Sequence, residues 1–172
     1  RNAKKFDRHF AMDREMLFKF LNDTQSETMD YLRKIYKNDL EETIVNFINA
    51  ETTKSRGSLI DVLKHGIEIS NQNLELMYTK PATTFNPELT KKYNQNIFSA
   101  MEEVWASEKE RIDVVIFLNG LAIMSFELKW NTAGQSYQDA IYQFRTDRNP
   151  KTRLFMFKAG TLVNFAMDLE EV

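Results

Sequence analysis

Asp113, Glu127 and Lys129 are the residues whose types and spacing best suit chemistry. They sit inside two apolar runs, from Arg111 to Leu118 and from Leu121 to Trp130, which flank Asn119-Gly120. Asn-Gly between apolar runs is a strong signal for a β-hairpin. Runs that are apolar on both faces suit central strands covered on each side. Charges within such strands are costly unless they pair or bind a metal. Asp113 and Glu127 could jointly hold a hard divalent cation, Mg²⁺ or Mn²⁺, with the backbone carbonyl of Leu128 as a further oxygen. Such a metal polarises a phosphodiester and lowers the pKa of its bound water. Lys129 could orient that water or offset developing charge. The plainer alternative is a structural ion pair between Lys129 and the two acids.

Shared chemistry demands a shared face, and this constrains the turn. Glu127 and Lys129 are two apart on a strand and share a face. With Asn119-Gly120 alone as the loop, Leu118 pairs with Leu121, Asp113 falls opposite Phe126, and the two acids diverge. With a Leu118-Asn119-Gly120 loop, Phe117 pairs with Leu121, and Asp113 falls opposite Ser125. Asp113, Ser125, Glu127 and Lys129 then line one face, and Ile112, Val114, Ile116, Ala122, Met124, Phe126 and Leu128 the other. The pattern therefore predicts a three-residue turn or an equivalent bulge.

The elements around the hairpin can be read in outline. Residues 1–50 carry apolar positions at helical spacing, among them Met16, Phe20, Leu32, Ile44 and Ile48, and read as amphipathic packing helices. Ser58 caps a helix over Leu59 to His65, and Gly66 stands where a C-terminal glycine belongs. His65 reads as a last-turn residue and His9 is isolated, which argues against a histidine metal site or triad. Leu74 to Tyr78 reads as a short strand, Thr79 to Pro87 as a loop, Glu88 to Asn94 as a helical turn, and Ile97 to Trp105 as a strand. Asn131 to Gly134 breaks the pattern. Tyr137, Ala140, Ile141 and Phe144 mark a helix face closed by Pro150, and Leu154 to Phe157 and Thr161 to Phe165 read as final strands. The order predicts a mixed sheet flanked by helices.

Composition excludes several classes. The 172 residues, 28% charged and 42% apolar, suit one globular domain, alone or with a helical extension. A net charge of -2 gives no global pull toward nucleic acid or anionic membrane. Any DNA-binding surface must be a local patch, and Arg145, Arg148, Lys151, Arg153 and Lys158 form the most basic segment. The absence of cysteine excludes disulfides and thiolate metal sites and suits a reducing cytoplasm. No apolar run approaches bilayer length, and no phosphate-binding loop of the G-x-x-x-x-G-K-[ST] type occurs. Without an initiator Met or a C-terminal stop, the chain reads as the N-terminal portion of something larger.

The string from Arg111 to Lys129 resembles the nuclease core of the PD-(D/E)xK superfamily. More narrowly, it resembles the N-terminal endonuclease domain of the restriction (R) subunit of type I restriction enzymes. Arg56 to Ile67 is similar to that family's upstream helix, Asp139 to Gln143 to its following helix, and Leu154 to Phe157 and Val163 to Asp168 to later strands. The resemblance implies an α/β fold with a mixed central sheet, a nuclease core over 56–172 that continues further, and an N-terminal helical extension over 1–55. It implies Mg²⁺-dependent hydrolysis of double-stranded DNA, with Asp113 and Glu127 as metal ligands and Lys129 as the catalytic lysine. Gln143, Arg145 and Arg148 are the candidate DNA contacts. Relatives often carry Gln-x-x-x-Tyr on this helix, whereas here Asp147 follows Gln143 in the tyrosine's place. An additional upstream carboxylate used by some relatives has several candidates: Glu42, Glu51, Glu68, Glu102 and Glu103. The implied partners are modification and specificity subunits and helicase motor domains on the same chain, which would carry the ATP requirement. Two alternatives stand beside this reading. One is a DNA-binding or assembly module on the same fold that no longer cuts; the other is a repair or junction nuclease of the superfamily.

Overall fold

The computed structural model describes residues 1–83, 85–129 and 136–168. Its centre is the expected hairpin, β6 (Arg111–Leu118) and β7 (Leu121–Leu128). β5 (Phe98–Trp105) pairs antiparallel with β6. β8 (Val163–Met167) runs parallel to the far half of β7, from Met124 opposite Val163 to Leu128 opposite Met167. Near the hairpin turn, β7 instead meets β2 (Met12–Asp13), which pairs with β1 (Phe6–Asp7). The sheet is thus mixed, in the order β1-β2-β7-β6-β5 with β8 beside β7. α6 (Tyr137–Tyr142) lies between β7 and β8 in sequence and packs against them, as a parallel crossover requires.

The turn is resolved in favour of the bulge. Asn119 and Gly120 both take positive φ, 50° and 82°, so the loop has two residues and Leu118 pairs with Leu121. The three-residue loop does not form. Instead the register shifts between Phe117–Ala122 and Ile116–Met124, which leaves Ile123 as the extra residue on β7. Its carbonyl is not wasted: Leu162 N donates to it at 2.9 Å, just before β8 begins. Past the bulge Val115 faces Ser125 and Val114 faces Phe126. Ala122 thereby lies opposite Phe117 rather than with Met124 and Phe126.

The helices follow from local rules. Asp13 caps α1 (Arg14–Thr24), its carboxylate accepting from Met16 N at 3.2 Å. α2 (Ser26–Tyr36) and α3 (Leu40–Thr53) bury Leu32, Ile44 and Ile48 in the larger core. Ser58 caps α4 (Leu59–His65), and Gly66 ends it at a φ of 71°. α5 (Pro87–Asn94) starts with proline behind an Asn86 cap.

The structure departs from the sequence pattern in several places. Residues 6–7 and 12–13 are strands, not helix, because they add to the sheet beside β7. A small hairpin, β3 (Ile67–Ile69) with β4 (Gln72–Leu74), precedes the expected strand from Leu74 and takes its place. Its turn residues Ser70 and Asn71 adopt φ of 51° and 61°, the same turn chemistry as Asn119-Gly120 but with a weaker signature. Leu154 to Phe157 is not a strand: Arg153–Phe155 is a 3₁₀ turn. Leu154 plugs the smaller core at 1% exposure, and its carbonyl accepts from Thr161 N. A four-residue apolar run cannot by itself distinguish a strand from a plug. The expected break at Asn131 to Gly134 lies outside the described residues.

Residues 1–55 are built into the same body as the rest. One core cluster joins Phe10 and Leu17 to Ile48, Leu63, Leu74, Leu121 and Ile123. The hairpin tip is buried within it. Asn119 is fully buried; its Nδ2 donates to Leu76 O and Asn96 Oδ1, each at 2.9 Å, and its Oδ1 accepts from Ile97 N at 2.7 Å. Gly120 lies under the start of α1, where an added Cβ would stand 2.6 Å from Leu17 N and would meet the Asp13 carbonyl. Gly120→Ala therefore combines a strained φ with a backbone clash and should cost about 2–3 kcal/mol. Urea unfolding measures this, and an unchanged midpoint would mean that the tip is not packed under α1.

Candidate functional site

β6 and β7 part company where the charges lie. Their ladder runs to Val114–Phe126. Beyond it β6 stays paired with β5 as far as Arg111, and β7 stays paired with β8 as far as Leu128. Asp113 and Glu127 are the next residues outward on the two strands, so the bulge brings them to matching cross-strand positions. The Asp113 carboxylate accepts from Leu128 N at 2.7 Å, supplying an acceptor where the β6–β7 ladder has ended. Glu127 is buried at 3% exposure. Lys129 follows two residues on, its own N–H donating to Met167 O at 2.9 Å.

A fourth charged group enters this fork. Arg148 Nη2 pairs with Glu127 Oε1 and also donates to Arg111 O at 3.0 Å, so one guanidinium spans both strands. Its side chain is 10% exposed. Burial pulls the Arg148 pKa down, while the fields of Glu110 and Asp113 oppose that pull. Sequence patterns had offered Arg148 as a DNA contact; its guanidinium here turns inward onto Glu127. Nothing local marks that pairing, since the partners are 21 residues apart.

The segment that delivers Arg148 is unusual. α6 begins with a capping box between Ser136 and Asp139 and then passes into a π-helical turn, Gln143–Asp147. Arg148 N closes that turn onto Gln143 O at 3.0 Å. Gln143 Oε1 and Arg148 Nε are buried without a hydrogen-bond partner among the described residues. Such uncommitted polar atoms are costly. Arg145 and Arg148 line a cleft of about 540 Å³ against Val163 and Phe165 of β8. Ser125, fully buried on β7, meets Asn164 across the parallel pair at 2.6 Å.

Glu110, which the sequence pattern did not single out, clamps the other end of this segment. It is 6% exposed, and its carboxylate accepts from Asn149 N at 2.6 Å and Thr152 Oγ1 at 2.7 Å. Burial alone would raise its pKa; the bonds from Asn149 and Thr152 outweigh this and hold it below the ordinary carboxylate range.

Two carboxylates against one guanidinium make a site that already accommodates positive charge, and their oxygens are the donors a hard divalent cation takes. No third His, Asp or Glu completes a cluster with them among the described residues. Of the upstream candidates, Glu42 pairs with Arg14, Glu51 with Lys54, and Glu103 with Arg111.

Two stability measurements test these contacts. Arg148→Met leaves Glu127 buried and unpaired and should cost about 3–5 kcal/mol, much of it recovered when Glu127→Leu is added. Equal loss in the single and double variants would dissolve the pair. Glu110 titrates below its unfolded value, so its contribution is present above the ordinary Glu pKa and is lost as pH falls through the folded one. Glu110→Gln should therefore flatten the acid side of the stability curve, read as midpoint denaturant against pH. An acid limb identical to that of the parent protein would contradict the clamp.

No helix among the described residues is long and apolar enough to cross a membrane. Comparison with curated proteins and with solved structures finds no match. A family model does match, that of the type I restriction enzyme R protein N terminus, over residues 13–171. The matched span starts at Asp13, upstream of the stretch at Arg56 where the sequence resemblance begins, and takes in the helices that bury the hairpin tip. With the fork, the helix that follows it and most of the core inside that span, the chain belongs to the family of type I restriction enzyme R protein N termini.

Proposed function

We propose that this domain is the DNA-cutting part of a type I restriction R subunit, a Mg²⁺-dependent endonuclease of the PD-(D/E)xK type. The observation that carries the reading is the fork: Asp113 and Glu127 at matching positions where β6 and β7 diverge, with Lys129 two residues further on. Asp113, Glu127 and the Leu128 carbonyl would hold Mg²⁺, or Mn²⁺ in its place. The metal, when bound, supplies Lewis-acid polarisation of a phosphodiester and a more acidic water.

The chain's own residues do the rest. Asp113 is anchored through Leu128 N, so its position is tied to the strand that carries Glu127. Lys129 supplies positive charge beside the reacting phosphate and can hold the attacking water by hydrogen bonding. Arg145 stands at the rim of the neighbouring cleft as a phosphate contact, and Gln143 offers an uncommitted side-chain oxygen. Arg148 pairs with Glu127 and fixes its direction. In the full-length R subunit the motor domains would carry ATP hydrolysis, and the modification and specificity subunits would select the DNA.

A second reading has an observation of its own. Arg148 already neutralises Glu127, which would suit a module that binds or assembles without cutting. Calorimetry separates the two: the nuclease reading expects Mg²⁺ binding that Asp113→Ala abolishes, and the second expects none.

In the assembled full-length enzyme, Asp113→Ala, Glu127→Ala and Lys129→Ala should each reduce plasmid cleavage by several orders of magnitude, since metal-assisted charge stabilisation is worth several kcal/mol. ATP turnover should remain near the parent level because it uses a different site. Gln143→Ala should be milder. Cleavage retained in a folded Glu127→Ala enzyme would end the nuclease reading.

A further inference from the structure

A second cleft, of about 700 Å³, opens beside the β1–β2 turn and is lined by Arg8, His9, Glu108, Lys151 and Arg153 among others. Its floor is Arg153, fixed from three sides. Nε donates to Asn49 Oδ1 at 3.0 Å, Nη2 to Thr52 Oγ1 at 3.0 Å, and Nη1 to the Ala159 carbonyl. All three acceptors are neutral, and no carboxylate pairs with Arg153 among the described residues. The other two of its five guanidinium N–H donors have no partner among the described residues. Burial pulls its pKa down to about 10, the mark of a cation held away from water without a counter-charge.

The walls repeat the imbalance. Arg8 Nε is held by Trp105 O at 3.1 Å, again a neutral acceptor. Lys151 is exposed and has no ion pair among the described residues. Against the three cations Arg8, Lys151 and Arg153 stands one acid, Glu108, for a local balance of +2 in a chain whose total is -2. Arg1, Arg14, Arg33, Arg111 and Arg148 each rest on a carboxylate, whereas Arg8 and Arg153, like Arg56 and Arg145, have no ion pair among the described residues. A partly buried cation without a counter-charge costs stability. A concave surface with one sign of charge concentrates counter-ions of the other sign.

The position of the cleft says which anion. Arg153 follows Arg148 by five residues, and Glu110 clamps the segment between them at Asn149 and Thr152. Five residues span at most about 18 Å, which is roughly five base steps of one DNA strand. We infer that this cleft is a phosphate anchor: it takes a backbone phosphate of the DNA flanking the fork, with Arg153 as the rigid donor and Arg8 and Lys151 closing over it. The inference rests on the nuclease reading for its ligand. It adds a fixed contact that sets where the duplex lies relative to Asp113 and Glu127 and is blind to base sequence.

The test is fluorescence anisotropy of a short labelled duplex, in EDTA, over a range of salt concentrations, using the 172-residue chain. Arg8 and Lys151 belong to surface loops, so Arg8→Ala and Lys151→Ala should fold normally. Each should weaken binding several-fold and lower the slope of log affinity against log salt by up to about 0.9, the value for one phosphate contact. The double variant should weaken binding further but lower the slope by no more than about 0.9, since both side chains act on the same phosphate. Slopes equal to the parent's, with parent binding intact, overturn the anchor and leave the nuclease reading standing. A parent chain that does not bind the duplex at low salt removes the DNA reading and the anchor with it. A third arm measures thermal stability with inorganic phosphate alone. If phosphate stabilises the parent and Arg8→Ala and Lys151→Ala abolish that gain while their duplex binding is unchanged, the cleft serves a free anion and the DNA assignment is overturned.

Discussion

A single extra residue in one strand governs the geometry of this domain. Side chains on a strand alternate between faces, so a one-residue slip in pairing moves every one of them to the other side. The tight Asn119-Gly120 turn on its own would set Asp113 opposite Phe126. The bulge at Ile123 adds one residue to β7 and brings Asp113 level with Glu127. The bulge is secured from outside the hairpin, since Leu162 N occupies the carbonyl it frees. The same contact starts β8 beside β7. The parallel edge of the sheet and the pairing of the acids are thus consequences of one local irregularity.

The tip of the hairpin shows how such a register is held. Tight turns usually lie in solvent, but this one is buried beneath α1 and pinned by Asn119 to Leu76, Asn96 and Ile97. The bonds to Leu76 and Ile97 satisfy backbone groups, and the bond to Asn96 extends a side-chain network that also takes in Tyr78. The N-terminal strands and helices are therefore more than a covering. They supply the surface against which the turn is locked, and the matched family span includes the helices from α1 onward.

Charge is distributed with the same economy. The acids in the fork meet a guanidinium brought in by a π-helical turn, and Glu110 fixes the segment that follows it. π turns cost regular hydrogen bonding and are concentrated at functional positions. One continuous stretch, Gln143 to Arg153, links the fork to the basic cleft. A change anywhere along it alters the spacing between the two.

The amino-acid sequence by itself determined the pieces that depend on neighbours in the chain. Asn-Gly between apolar runs specified a hairpin, Ser58 and Gly66 bounded a helix, and alternation required a turn of three residues or a bulge to align Asp113 with Glu127. These are short-range rules of backbone dihedrals, caps and periodicity, legible without a fold. The choice of bulge over longer turn was decided by tertiary packing, because a longer loop must fit under α1 and a bulge needs Leu162 to take its carbonyl. The conversion of the run at Leu154 from strand to plug, and of residues 6–7 and 12–13 from helix to sheet, came from competition for the core and for the open edge of β7. The partner of Glu127 was likewise invisible along the chain. An ion pair between residues 21 apart carries no periodic or local signature and exists only once a helix packs across the fork.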